Sequence, residues 1–213
     1  PLTPRQVGRQ SPIGSIVMTF GCKFACPYCP IPAYNQRQHR TKGPERISEE
    51  MTRLHQTFGM RFFFATDDNF FNDHERALAI ADKLAQTRFY DNRRKRNRTR
   101  FRWGTEVTVH DTLKIGSEGL KMFRKAGVRA LWLGVEDMTA TLIKKGQSVD
   151  KTTEAFHLLR RHGILPMPMM MHHDDQPLYT PGKADGLLNQ VRLLRKAGAI
   201  NLQVLMLTPA PGS

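Results

Sequence analysis

The stretch Gly21-Cys22-Lys23-Phe24-Ala25-Cys26-Pro27-Tyr28-Cys29-Pro30 contains all three cysteines of the 213-residue chain. Three residues separate the first two cysteines, and two separate the second pair. Thiols this close in sequence can share one face of a loop, and cysteine thiolate is the usual ligand of iron–sulfur clusters. The spacing therefore favours one metal centre in which three irons have protein ligands and a fourth iron is left for another ligand.

Other uses of the three cysteines stay open from their spacing. A disulfide framework is disfavoured, because the count is odd and Cys26 and Cys29 are too close to cross-link much structure. A structural zinc site needs a fourth ligand, and His39 is the only nearby histidine. Inert thiols are a third reading, although Pro27 and Pro30 disfavour packing of this stretch inside a regular element.

The C-x3-C-x2-C pattern, with an aromatic residue before its last cysteine, resembles the signature of the radical S-adenosylmethionine (SAM) superfamily. The resemblance implies that Cys22, Cys26 and Cys29 hold a 4Fe–4S cluster and that Tyr28 lies near the adenine of SAM. It also implies that the fourth iron binds the amino and carboxylate groups of SAM. One electron from a donor such as flavodoxin or ferredoxin would then cleave SAM to a 5′-deoxyadenosyl radical, which takes a hydrogen atom from the substrate.

Basic residues followed by glycine end three predicted helices, at Gly127, Gly163 and Gly198. Cationic side chains favour the C-terminal end of a helix, and glycine favours a left-handed exit. The spacings of 36 and 35 residues indicate a repeating strand–helix unit, as in a parallel barrel. Six such units predict an α/β fold, a partial, open (β/α)6 barrel with parallel strands, which is also the architecture that the resemblance implies.

Several element boundaries follow from local signals. We place the first strand over residues 13–20 and expect Ser48 and Asp150 to cap two later helices. Pro166 and Pro168 fall inside the fifth strand, where a proline removes a hydrogen bond of the ladder, so we expect that strand to be irregular.

Polar residues end or follow each of the six predicted strands. Because the active sites of βα barrels lie at the carboxyl ends of the strands, we expect these residues to share one rim. The resemblance implies that Asp67 or Asp68 contacts the SAM amino group and that Glu136 binds the ribose. The candidate cofactor-binding residues are Tyr28, Asp67, Asp68, Asn69, Glu106, Glu136 and Thr208.

The run His172-His173-Asp174-Asp175 follows the fifth strand. It is suited to holding substrate, acting as acid or base, or facing a second cofactor, and a plain polar turn is the alternative. We take His172, His173 and Asp174 as candidate catalytic residues. Four methionines precede the run, and they can be core filler or the lining for a lipid-like or planar cofactor. They are Met167, Met169, Met170 and Met171.

The formal net charge is +14. Residues 88–102 carry seven arginines and one lysine against one aspartate, a local net charge of +7. A nucleic-acid contact is one interpretation, and a solvated loop or a partner-docking surface is the one we favour. The sequence has no apolar run of about 18 residues and no signal-peptide pattern, so we expect no membrane span and a cytoplasmic protein.

Two stretches, Phe62-Phe63-Phe64-Ala65-Thr66-Asp67-Asp68-Asn69-Phe70 and Leu133-Gly134-Val135-Glu136-Asp137, resemble the cobalamin-associated radical SAM enzymes. This implies methylation of an unactivated carbon in a small-molecule or lipid-like substrate. We expect residues 1–213 to be the catalytic core of a longer chain with an N-terminal cobalamin-binding domain and a further C-terminal region. The alternatives are a methylthiotransferase acting on transfer RNA, which would need cysteines that this chain lacks, and a zinc-bearing nucleic-acid-binding module.

Overall fold

The computed structural model describes residues 2–36, 38–91, 96–98, 101–139 and 148–208. Its strands are β1 (Ile13–Ile16), β2 (Thr19–Phe20), β3 (Arg40–Thr41), β4 (Phe62–Ala65), β5 (Phe89–Asp91), β6 (Arg96–Arg98), β7 (Arg102–Thr108), β8 (Val128–Glu136), β9 (Leu165–His172) and β10 (Gln203–Met206). Its helices are α1 (Pro4–Gln10), α2 (Ile31–Tyr34), α3 (Pro44–Phe58), α4 (His74–Gln86), α5 (Val109–Ala126), α6 (Val149–Arg161) and α7 (Leu187–Lys196).

Six strands form one parallel sheet in the order β1-β4-β7-β8-β9-β10. One long helix, α3 to α7 in turn, connects each strand of this sheet to the next. The predicted α/β fold, a partial and open (β/α)6 barrel, is confirmed. The pairs β2–β3 and β5–β6 are short antiparallel ribbons outside the main sheet.

An aromatic cluster lies between the sheet and the helices. Phe70 and Phe71, in a 3₁₀ turn after β4, pack against Phe123 of α5 with ring centroids 5.9 and 4.9 Å apart. Trp103 of β7 contacts Phe70, and its indole N–H donates to the carbonyl oxygen of Ala126 at 3.1 Å. This buried cluster fixes the turn that directly follows the polar residues 67–69, and so it holds that polar stretch in place.

The three predicted helix ends are confirmed. Gly127, Gly163 and Gly198 have φ values of 106°, 67° and 98°, in the left-handed region, and basic residues precede each of them. At Gly127 space demands glycine as well, because a Cβ there would collide with the carbonyl oxygen of Phe101.

Two predicted helix caps are wrong. Helix α3 begins earlier, at Pro44 with Gly43 as N-cap, because proline suits the first turn of a helix. Ser48 is buried inside α3, with its hydroxyl 2.8 Å from that of Thr87. Helix α6 is capped by Ser148 rather than by Asp150, because the Ser148 hydroxyl accepts the Lys151 N–H at 3.2 Å.

The predicted strand over residues 13–20 is two strands. The ladder with β4 ends at Ile16, and the chain turns before Thr19 joins the ribbon with β3. The break has a physical cause, since the N–H groups of Met18 and Thr19 donate to the side chain of Asp67 instead of to a neighbouring strand.

The prolines of β9 are accommodated without interrupting the strand. The Leu207 N–H donates to the carbonyl oxygen of His172, so even-numbered residues of β9 turn their backbone groups toward β10. Strand β10 pairs with β9 only from Met169 onward. Pro166 and Pro168 precede this paired segment, so the absence of their N–H groups removes no hydrogen bond with β10. The irregularity falls on β8, where the register with β9 shifts between Gly134 and Glu136.

Among the described residues, no helix combines the length and the apolar character needed to cross a membrane.

Candidate functional site

The three cysteines lie on an irregular loop between β2 and α2. Each is partly exposed, and none of the three forms a disulfide. The Cys29 N–H donates to the carbonyl oxygen of Cys26 at 3.0 Å, which closes a tight turn around Tyr28. The loop begins at Gly21, whose φ is 86°.

Asp67, the second residue after β4, holds the start of this loop. Its Oδ1 accepts the N–H groups of Met18 at 2.9 Å and Thr19 at 2.7 Å, and its Oδ2 accepts the hydroxyl of Thr105 at 2.7 Å. Asp67 is only 1% exposed, and this burial raises its pKa although the hydrogen bonds favour the charged form. The structure therefore gives Asp67 a positioning role, and contact with a SAM amino group stays a prediction for it.

The next residues continue the anchoring. Asp68 Oδ2 accepts the Gly21 N–H at 2.6 Å, and Asn72 Oδ1 accepts the Lys23 N–H at 3.0 Å. The buried Asn69 amide donates to Asn72 Oδ1 at 3.1 Å and so orients it. Residues 67–72 thus supply acceptors for four backbone N–H groups between Met18 and Lys23.

An ion pair ties the loop to helix α5. Lys23 Nζ lies 2.6 Å from Oδ1 of Asp111, a fully buried residue in the first turn of α5. Asp111 Oδ2 accepts the Asn69 amide at 2.9 Å and the Thr108 hydroxyl at 3.0 Å. Burial alone would raise the pKa of Asp111, but these hydrogen bonds and the Lys23 charge lower it below its usual value.

Glu106 and Glu136 extend the site along the strand ends. Burial raises the pKa of Glu106 to about 7, and the nearby carboxylates of Asp67, Asp68 and Glu136 add to the rise. A positively charged ligand would stabilise the charged form of Glu106 and reduce its repulsion with these carboxylates. Glu106 lies inside β7, and Glu136 is the last residue of β8.

Tyr28 connects the cysteine loop to β8. Burial, then the Glu136 charge and then Cys26, raise the pKa of the Tyr28 hydroxyl. Glu136 has a φ of 60°, in the left-handed region that non-glycine residues seldom adopt, and it lies at the register shift of β8. Such a conformation costs about 1–3 kcal/mol and persists where the surroundings require it, often at functional sites.

The remaining predicted residues lie at the ends of β9 and β10. His172 is the last residue of β9, and its Nδ1 lies 2.7 Å from Oε1 of Gln176. His173 and Asp174 begin a turn that the Gln176 N–H closes on the His173 carbonyl oxygen. Thr208 is exposed beyond β10. No contact places these four residues against the cysteine loop within the part of the chain that the structure describes, so their roles stay predictions.

Sequence reasoning missed four residues of the anchoring network, namely Lys23, Asn72, Thr105 and Asp111. Only Asp111 had a local signal. The sequence Thr108-Val109-His110-Asp111 is a helix start in which the threonine caps the helix, and the Asp111 N–H donates to the Thr108 hydroxyl at 3.1 Å. The other three contribute through contacts between distant parts of the chain.

The donor set suits a cluster. The loop offers three partly exposed thiols, and a 4Fe–4S cube takes one thiolate at each of several irons, so its ligands stand apart. Within residues 2–36, 38–91, 96–98, 101–139 and 148–208, no three His, Cys, Asp or Glu side chains are gathered around one ion position.

The arginine-rich stretch, residues 88–102, lies elsewhere. Residues 92–95 and 99–100 are outside the described residues. The described part includes β5, which follows the C-terminal end of α4, and Phe89 of β5 stacks on Phe101 with centroids 4.2 Å apart. The described part of the arginine-rich stretch therefore lies at the amino-terminal end of the sheet, whereas the candidate site lies at the carboxyl end.

The chain is similar in sequence to curated proteins. The chain is 26% identical over 150 residues to the anaerobic magnesium-protoporphyrin IX monomethyl ester cyclase of Cereibacter sphaeroides, covering 69% of this chain and 23% of that protein. It is 28% identical over 134 residues to the hopanoid C-2 methylase of Rhodopseudomonas palustris, covering 62% and 24%. The chain therefore spans about a quarter of the length of these curated relatives.

Among solved structures, the fold is similar to that of the radical S-adenosylmethionine methyltransferase TsrM from Kitasatospora setae, solved with cobalamin and a [4Fe–4S] cluster bound. The TM-score is 0.69 at 16% identity, over 91% of this chain and 34% of that one. The family model of the radical SAM superfamily matches residues 16–177, which include the cysteine loop, its anchors and strands β4 to β9. The chain belongs to the radical SAM superfamily.

Proposed function

We propose that this chain is the catalytic core of an enzyme that binds a 4Fe–4S cluster through Cys22, Cys26 and Cys29 and cleaves SAM reductively. The observation that carries the proposal is the anchored cysteine loop. Side chains of residues 67–72 and Asp111 hold residues 18–23, the start of the loop that carries the three cysteines. Membership in the superfamily implies both cofactors.

When bound, the cluster and SAM supply a 5′-deoxyadenosyl radical. The residues of the chain bind and orient SAM. Glu106 and Asp68 are the acceptors that we assign to its ammonium, because Glu106 has a raised pKa among like charges and a cation would relieve their repulsion. We assign Glu136 to the ribose hydroxyls, since its strained backbone holds a carboxylate beside Tyr28. Tyr28 is then next to both the cluster ligand Cys26 and the nucleoside.

For the longer protein we propose cobalamin-dependent methylation of an unactivated carbon in a small-molecule or lipid-like substrate. Support comes from the methylases among the similar proteins, a hopanoid methylase and TsrM. Cobalamin would be held mainly by sequence outside this chain, and a small electron carrier such as flavodoxin or ferredoxin would supply the electron. His172, His173 and Asp174 are the residues that we assign to substrate contact or proton transfer at the end of β9.

The test begins with anaerobic reconstitution of the 213-residue chain with iron and sulfide. We expect about four irons per chain and, after reduction with SAM present, 5′-deoxyadenosine detected by chromatography. Cys26→Ala should lose the iron, whereas His39→Ala, which removes the candidate zinc ligand, should keep it. Unchanged iron in Cys26→Ala would contradict the ligand assignment.

A second measurement addresses SAM. Glu136→Ala should weaken SAM binding, measured by calorimetry, without changing the iron content. An unaltered affinity would reject the ribose role. Methylation itself is tested in the full-length protein with SAM carrying a deuterated methyl group, by mass spectrometry of candidate lipid products.

A further inference from the structure

Glu136 is at the centre of a tight turn at the end of β8. The Asp137 N–H donates to the carbonyl oxygen of Val135 at 2.7 Å, which closes a three-residue turn around Glu136. The φ of Glu136 is 60°, so this is the rarer and strained form of such a turn. A residue other than glycine stays in this conformation only where the surrounding structure holds it there.

Three successive N–H groups after Glu136 are hydrogen-bonded, and two of these bonds are local. The first is the Asp137 N–H of the turn itself. The third belongs to Thr139, whose N–H donates to Oδ1 of Asp137 at 2.9 Å, and Asp137 is 2% exposed. Because both bonds form inside the segment, they give it a shape without fixing where it lies.

The second N–H, that of Met138, is held by a distant residue. It donates to Oε1 of Gln190 on α7 at 3.0 Å, across 52 positions of sequence. Gln190 is 1% exposed, so water cannot readily take its place as the acceptor. This hydrogen bond fixes the peptide group that directly follows the turn, and so it ties the turn to α7.

The Gln190 amide can take only one orientation. Its Nε2 donates to the carbonyl oxygen of Asp185 at 3.4 Å, and because that oxygen can only accept, Oε1 has to face Met138. The same Asp185 carbonyl accepts Nε2 of Gln176 at 3.1 Å, and Gln176 is 8% exposed. The acceptor that orients Gln190 is therefore itself held inside the protein.

Resting on the proposed function, we infer that Gln190 is a positioning residue for SAM binding and that it acts through Glu136. Without the Gln190 acceptor, the peptide group after the turn can rotate, and Glu136 can relax from its left-handed conformation. Its carboxylate would then move away from the position that the turn gives it. The Met138 side chain is 2% exposed in the core, so the segment should stay in place when Gln190 is replaced.

The test measures SAM affinity by calorimetry on the chain reconstituted with iron and sulfide. Gln190→Met has a side chain of similar length without the amide acceptor, and it should weaken SAM binding about fivefold, the equivalent of one hydrogen bond. Its iron content should stay that of the wild type. In a Glu136→Ala background the same replacement should change the affinity by less than about twofold, because Gln190 then has no carboxylate left to position.

Asn189→Ala is the matched control. The Asn189 amide, next to Gln190 on α7, forms two hydrogen bonds of 3.0 Å with the backbone of Thr180 in the loop after β9. Its loss should lower the urea midpoint and leave SAM affinity unchanged. Equal SAM affinity in the wild type and Gln190→Met, equal losses in Gln190→Met and Asn189→Ala, or a full further loss in the Glu136→Ala background would each overturn the inference.

Amide hydrogen exchange of the iron-free chain gives a readout that needs no cofactor. The Met138 N–H should be protected in the wild type and should exchange faster in Gln190→Met. Fast exchange of this group in the wild type would overturn the inference without any variant. If circular dichroism shows that Gln190→Met is misfolded, Gln190→Leu replaces it, with the same loss of SAM affinity expected.

Glu136→Ala reports separately on the proposed function. If it leaves SAM affinity unchanged, the ribose role of Glu136 is wrong, and hydrogen exchange at Met138 still decides whether Gln190 holds the turn. If Glu136→Ala weakens SAM binding and Gln190→Met does not, the inference about Gln190 alone is overturned.

Discussion

Lys23 and Asp111 join the cysteine loop to the start of α5 across 88 positions of sequence, with Nζ 2.6 Å from Oδ1. The lysine is one residue from Cys22, and the aspartate is fully buried. The lysine side chain is 38% exposed, so it can turn to water if its partner is lost, whereas the aspartate depends on its partners. The main effect of this ion pair is therefore to fix the position of the cysteine loop. The attraction between the two charges is the smaller effect.

Asp111→Asn should lower the free energy of unfolding by about 1–3 kcal/mol, because charged hydrogen bonds to Lys23 and Asn69 are weakened inside the protein. Urea unfolding at pH 7 measures the change. Since the pKa of Asp111 is lowered on folding, the difference from the wild type should shrink as the pH falls below the ordinary carboxylate range. Glu118→Gln, which breaks an exposed pair with Lys121, should leave the urea midpoint unchanged. Equal effects of the two variants would count against the role of the buried network.

Glu106 should make stability depend on pH near neutrality. Its pKa in the folded chain is about 7, above the ordinary value of 4.5, so the folded state holds the proton more tightly than the unfolded chain. Its stabilising contribution is therefore lost as the pH rises through 7. Glu106→Gln, which resembles the protonated form, should gain in thermal midpoint relative to the wild type between pH 5 and pH 8. A difference between Glu106→Gln and the wild type that stays constant with pH would refute the assignment.

Asp67→Ala should damage both the fold and the cluster site. It leaves the buried N–H groups of Met18 and Thr19 without their acceptor, at about 1–3 kcal/mol each. Denaturant unfolding and iron content are the two measurements. Cys26→Ala distinguishes damage to the fold from damage to the cluster site, because it should lose iron and keep the unfolding midpoint of the iron-free chain. If Asp67→Ala kept full iron and full stability, the anchoring role would be wrong.

Gly127→Ala should lower the free energy of unfolding by at least about 2 kcal/mol, because it combines left-handed backbone strain with a collision against the Phe101 carbonyl. Gly43→Ala is the matched control. Gly43 has an ordinary φ of −62° and open space around it, so its replacement should lose only the preference for glycine over alanine at an N-cap, about 0.5–1 kcal/mol, which is less than the loss at Gly127. Thermal or urea unfolding of the two variants tests the contrast.

The architecture could be predicted because its signals are local. A basic turn followed by glycine marks the end of each of three helices, and each of these signals lies within a few residues of chain. The wrong caps show the limit of the same approach. Serine is a common N-cap residue, but Gly43 and Pro44 start the helix one turn before Ser48. The Ser48 hydroxyl forms a hydrogen bond with that of Thr87 instead.

The candidate site was predicted in part for a related reason. Parallel strands bring their carboxyl ends together, so the expectation that polar residues at the strand ends share one rim placed Glu106 and Glu136 at this edge of the sheet. The anchoring by Asp67, Asn72 and Asp111 depends on pairs of residues dozens of positions apart, which no local pattern reveals. The left-handed conformation of Glu136 arises from a register shift between β8 and β9, and that shift is visible only once both strands are paired.

The distance in sequence between the loop and its anchors determines when the anchored loop is complete during synthesis. Met18 precedes Asp67 by 49 residues, and Lys23 precedes Asp111 by 88. At roughly 5–20 residues per second, the ribosome needs about 4–18 seconds to make the last anchor after Lys23. Until Asp67 is made, the loop has none of these anchors, and until Asp111 is made, Lys23 lacks its ion-pair partner. The anchored loop is therefore complete only after synthesis has passed Asp111.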